Sequence, residues 1–163
     1  MPVIATGEEL VSLLRSARQI EIAFESLAEW SGYVDAPNED FRSTLFNMIT
    51  ESQRHRTMVD SLISMVNASS PAPGAPLAPR AMDFKNKNEA QIMSEIGKYE
   101  KLAFDLYSQI LQAVKESDLK VLLRDEKNAN VFISTLETLI SEEKNHMDLA
   151  AKFSSTGTWA YKV

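Results

Sequence analysis

His55 and His146, the only two histidines of the chain, each follow a glutamate by about one helical turn on separate amphipathic segments. In the last long segment Phe132, Leu136, Leu139, Glu143, His146, Ala150 and Phe153 recur at spacings of four and three, the core stripe of a packed helix. Glu143 and His146 sit in the middle of that stripe. A carboxylate and an imidazole facing an apolar core are costly to bury unless something satisfies them, and a divalent cation does so directly.

Three further stripes carry a central glutamate. Segment one begins at Thr6 with Glu9 three residues later, a capping-box pattern, and aligns Leu10, Leu14, Ala17, Glu21, Phe24, Ala28 and Ser31, ending near Gly32. Segment two offers two overlapping stripes, one through Met48, Ser52, His55, Val59 and Leu62, the other through Met48, Glu51, His55, Met58 and Leu62. Segment three starts between Asn86 and Glu89, with a second capping box, and aligns Met93, Ile96, Glu100, Ala103, Tyr107, Ile110 and Val114. No Lys or Arg shares these stripes. Buried carboxylates without cationic partners are strongly unfavourable. Two divalent metals would cancel the charge of Glu21, Glu51, Glu100 and Glu143, and neutral His55 and His146 would complete an oxygen-rich ligand set suited to iron or manganese, with zinc as an alternative. Counting back from the turns places Glu21 level with the other three and leaves Glu25, one turn nearer the loop, as the reserve ligand.

The elements that must position these groups are helices expected at about 7–33, 38–67, 88–116 and 128–154, with a short apolar turn at Leu119 to Leu123 and a tail at 155–163. Pro71, Pro73, Pro76 and Pro79 exclude helix and central strand from the segment at about 68–87, which reads as a linker. Roughly 20 residues at about 3.1 Å each reach about 60 Å, whereas a 30-residue helix is about 45 Å long. The linker can therefore run the length of a bundle, so that segments two and three lie parallel. Nothing alternates like a strand series, and the chain reads as one all-α domain, 1–163, with a weak internal duplication echoed by Ala23-Phe24-Glu25 and Ala103-Phe104-Asp105.

Composition narrows the function. At 163 residues and 44% hydrophobic content the chain is long enough for one substantial core. Its net charge of −6, without a basic run, argues against a nucleic-acid partner. The absence of cysteine excludes disulfides, thiolate nucleophiles and thiolate-ligated iron within this sequence. No apolar run approaches the roughly 20 residues that span a bilayer, and Met1 to Glu9 resembles no signal peptide, so no membrane association and a cytoplasmic location are expected. Met48, Met58 and Met65 read as adaptable core filling, Glu142 as a solvent-facing neighbour of Glu143, and Trp159 and Tyr161 as packing on the bundle or on a neighbouring subunit.

Taken together these residues resemble a ferritin-like di-iron carboxylate protein of the rubrerythrin type, over roughly Thr6 to Ser154. Glu143-Lys144-Asn145-His146 matches the Glu-x-x-His motif of that superfamily, and Glu100 followed by Tyr107 resembles its third-helix pattern. Two departures stand out. The residue three before His55 is Ser52, with Glu51 four before it, and the extra carboxylate that rubrerythrins carry one turn after the third-helix ligand is Ala103 here. The resemblance implies a ferritin-like four-helix bundle with a long Pro-rich crossover between helices two and three. It also implies two iron ions, reaction with hydrogen peroxide or O2 (peroxide reduction or ferrous iron oxidation), an external electron donor, and a homo-oligomer, a dimer first. A storage or carrier subunit and a metal-free structural bundle stand as alternatives.

Overall fold

The computed structural model describes residues 3–29, 38–69, 84 and 86–159, and it is all-α: among them no strand forms, only an isolated antiparallel bridge between Val66 and Leu123. Four long helices dominate: α1 Gly7–Glu25, continued by a 3-10 turn at Ser26–Glu29; α2 Glu39–Met65; α3 Glu89–Lys115; and, after the short α4 Leu119–Leu122 and a 3-10 turn at Glu126–Asn128, α5 Ala129–Trp159. None is long and apolar enough to cross a membrane.

Local chemistry sets the helix starts. Thr6 accepts the Glu9 amide in its Oγ1, while the Glu9 carboxylate reaches past Thr6 to the amide of Ala5, one residue further back than a capping box requires. Asn38 caps α2. The box before α3 lies at Asn88 and Gln91, because Asn86 adopts a left-handed φ of 63° and the helix begins only after it. Two ends differ from expectation. α1 gives way to 3-10 geometry at Ser26, and α5 runs on through Trp159, across residues that read as tail. The expected turn near Gly32, most of the Pro-rich linker and Tyr161 fall outside the described residues.

The buried faces follow the stripes. On α3 all of Met93, Ile96, Ala103, Tyr107, Ile110 and Val114 are buried. On α2 the stripe through Ser52 and Val59 is the fully buried one, whereas Glu51 and Met58 are half-buried at its margin. α1 packs on α2 and α3 on α5, while α1 against α3 and α2 against α5 close the ring around a single core. Gly97 faces Ala150, and this pairing of small residues lets α3 and α5 approach.

Both ends of α2 have known neighbours. At its C-terminal end Asn67 donates to the Leu122 carbonyl at 2.7 Å, Arg124 donates to that of Met65 at 2.9 Å, and Glu8 of α1 binds Ser69. At its N-terminal end Phe41 meets Phe153 edge to face, 6.3 Å apart. Since α4 directly follows α3, the C-terminal ends of α2 and α3 lie together and these two helices run parallel, each about 40 Å long.

Candidate metal centre

Among the described residues six polar or charged side chains are buried in this core: Glu21, Ser52, His55, Glu100, Glu143 and His146. Every long helix contributes at least one, from the middle of its apolar stripe, so the apolar residues on either side fix their height. The two imidazoles stack, with ring centres 5.4 Å apart and planes inclined by 28°. Their Nδ1 atoms face inward: that of His55 lies 2.8 Å from Glu143 Oε1 and 3.6 Å from Glu21 Oε1, and that of His146 lies 3.4 Å from Glu100 Oε2 and 3.7 Å from Glu143 Oε2. Glu143 is thus shared between the two rings.

Their Nε2 atoms face outward, and the partners cross. His55 of α2 meets Glu142 of α5 at 2.7 Å, and His146 of α5 meets Glu51 of α2. Each outer glutamate lies four residues before the histidine of its own helix and holds the histidine of the other. Laid in register, Phe41, Leu45, Glu51, Ser52 and His55 match Phe132, Leu136, Glu142, Glu143 and His146. An ionised carboxylate only accepts, so each Nε2 carries the proton of its bond and each neutral ring would present an Nδ1 lone pair inward. Glu142 is itself gripped by Arg54 at 2.6 Å; burial would raise its pKa, but Arg54 and His55 together hold it below the usual carboxylate range.

The inner groups fit a cation. Neither Glu100 oxygen, neither Glu143 oxygen, nor Oε2 of Glu21 has a hydrogen-bond partner, and the two Nδ1 atoms approach carboxylates without the direction of a hydrogen bond. Buried groups of this kind are normally satisfied. Ligand atoms of His55, Glu143 and His146 lie within 4.8 Å of one another, a buried group that could bind a metal ion.

Protonation shows the same frustration. Burial pushes Glu21 up to about 7 against the opposing pull of His55, and raises Glu100 well above its ordinary value, helped by neighbouring Glu143. Burial would lower both histidines, yet the carboxylates outweigh it, Glu143 and Glu21 lifting His55 to about 10 and Glu100 and Glu143 lifting His146 to about 11. For Glu143 burial is overcome by Glu100 and both rings, and its carboxyl is held low. Within the polypeptide itself, imidazolium is the cation that these carboxylates have.

No family model, curated protein or solved structure matches the chain. The site must be read from its own residues. Five of the expected ligands, Glu21, His55, Glu100, Glu143 and His146, are brought together in the interior, while Glu51 stands at the outer nitrogen of His146 with its side chain 44% exposed. Glu25 is drawn away to Arg56 at 3.0 Å. Tyr107, fully buried, donates to Glu21 Oε1 at 2.7 Å, and its own pKa is driven well up by burial and by the Glu21 charge. Glu142, expected to face solvent, does keep its side chain 24% exposed, but it also turns an oxygen to His55 Nε2. The signal for its role was present, since Glu142 and His146 repeat the spacing of Glu51 and His55.

Proposed function

We propose that the chain is a non-haem di-iron carboxylate protein of the rubrerythrin type, a ferritin-like four-helix bundle with residues 68–87 as its crossover, which reacts with hydrogen peroxide or O2. The observation that carries this reading is the crossed arrangement of His55 and His146, each held from outside by the other helix's glutamate and turned inward on carboxylates with oxygens that have no hydrogen-bond partner. Such carboxylate–histidine pairs are the usual support of metal-ligating imidazoles. Glu21, Glu100, Glu143, His55 and His146 would hold two irons, and bound iron would supply the electrons and Lewis acidity that cleave an O–O bond.

The protein's own contribution is orientation and charge. Glu51 and Glu142 fix the two rings; Glu51, expected among the ligands, is supported by its contact as a positioning residue for His146. Tyr107 fixes Glu21. Leu14, Met48, Met93 and Leu139, on the same stripes as the site residues, are themselves buried, so the groups lie within an apolar core. Without cysteine, electrons must come from an external donor or from ferrous iron as substrate.

Anaerobic ferrous titration followed by elemental analysis tests the reading. About two irons per chain, lost together in His146→Ala and Glu143→Ala and accompanied by peroxide consumption, is the expected result. Failure of the wild-type chain to take up iron would overturn it in favour of a structural bundle, the alternative that Ser52, at the position of a ligand glutamate, favours.

A further inference from the structure

Ser52 is fully buried, and its hydroxyl has no hydrogen-bond partner. That is unusual within this protein. Thr50, Thr57, Thr135 and Thr138 each turn the hydroxyl back to the carbonyl four residues earlier, the ordinary resort of such a group on a helix. Ser52 does not take it, although it lies one turn from His55 on the buried face of α2.

The crossed pairing of α2 and α5 shows what the position is equivalent to. Glu51 corresponds to Glu142 and His55 to His146, so Ser52 corresponds to Glu143, the carboxylate shared by both imidazoles. Serine retains the Cβ of glutamate and puts a hydroxyl where Cγ would be; what it lacks is the carboxylate itself. With Glu51 and Glu142 committed to the outer nitrogens, the charge on the inner side of the rings is short by the same amount. Glu21, Glu100 and Glu143 offer three negative charges in the interior, against four positive charges on two divalent cations.

We infer that Ser52 makes the centre incomplete by one carboxylate, and that a small monoanionic oxyacid of the formate or bicarbonate class completes it, accepting a hydrogen bond from the Ser52 hydroxyl. The inference rests on the two-iron reading and deepens it. The same chain would hold its second cation more tightly in company with such an anion. Anion-dependent metal loading follows, as for any ligand that binds one state better than another.

The test is anaerobic ferrous titration of the full chain in carbonate-free buffer, with sodium formate against sodium chloride at equal ionic strength, reading irons per chain by elemental analysis. In the wild type, formate is expected to tighten the second iron by about tenfold or more. Ser52→Ala is expected to lose most of that response. Ser52→Glu is expected to hold both irons in chloride and to ignore formate. Where Ser52→Glu does not fold, the wild type and Ser52→Ala decide. Two irons bound equally well in chloride, or an unaltered formate response in Ser52→Ala, overturns the inference and leaves the di-iron reading intact. Uptake of no iron in either salt overturns both.

Discussion

At the scale of single residues, the centre separates groups that would touch a cation from groups that hold those groups in place. Both kinds include glutamates, and their neighbours distinguish them. Glu100 and Glu143 are buried, face the inner Nδ1 atoms and have no hydrogen-bond partner, whereas Glu51 and Glu142 lie at the margin with their charges committed to imidazole Nε2 atoms. Removing a residue that only orients a ligand typically costs about 10–100-fold in metal affinity. Glu142→Gln and Glu51→Gln are therefore expected to weaken iron binding by about that factor while keeping the iron count of the wild type at saturation. His146→Ala should lower the count itself. Competition against a chelator of known affinity measures the first effect and elemental analysis the second. A reduced count at saturation in Glu51→Gln would return that residue to the ligand set. Loading should also release protons, because each Nδ1 must give one up to bind a cation, and calorimetry in buffers of different ionisation enthalpy counts them.

At the scale of elements, the junction at the C-terminal end of α2 sets the register on which the centre depends. Gly7 opens α1 directly against the Asn67 carbonyl: a Cβ there would fall 1.9 Å from that oxygen. Asn67 has little freedom to retreat, since its amide is bonded to Leu122, while Arg124 binds the carbonyls of Met65, Val66 and Ala68. Gly7→Ala is thus expected to destabilise the fold by about 1–3 kcal/mol, the usual cost of forcing extra volume into a packed site. The strain sits about 20 Å along α1 from Glu21, so iron stoichiometry should be unchanged. Thermal unfolding followed by circular dichroism checks the first part, and an unaltered Tm would mean that the junction yields.

At the scale of the whole molecule, the centre couples stability to pH. His55 and His146 have pKa values of about 10 and about 11 in the fold, above the ordinary value of 6.5, so their stabilising contribution is complete below about pH 6.5 and is lost as pH rises through those values. Glu21, raised from 4.5 to about 7, acts in the same sense between those values, keeping a proton that the unfolded chain has released. The metal-free protein should therefore melt at a lower temperature near pH 9 than near pH 7. Bound cations reverse the dependence, since they compete with the same protons: the Tm increase caused by ferrous iron should grow over that interval. A metal-free Tm that rises from pH 7 to pH 9 would contradict the charge state assigned to the rings.

Much of this was legible in the residues alone. Period and capping determined that the chain is helical, and the stripes of α3 and α5 named their buried faces residue by residue, because burial on a helix follows the sequence period. Charge without counter-charge on those stripes pointed to a cation. What one helix's pattern could not contain is which partner each polar group meets. Two stripes fit segment two equally well, and only the packing of α2 on α5 buries Ser52, moves Glu51 to the outer nitrogen of His146, and brings an oxygen of the partly exposed Glu142 to His55. The same holds for Glu25, whose attraction to Arg56 is a contact between helices. Likewise, the α5 end lay beyond the period signal, since no glycine or proline cap marks its last expected turn. Sequence determined the ligands on offer; the crossing of α2 and α5 decided their order around the centre, because contacts between helices depend on register and rotation that no single periodicity encodes.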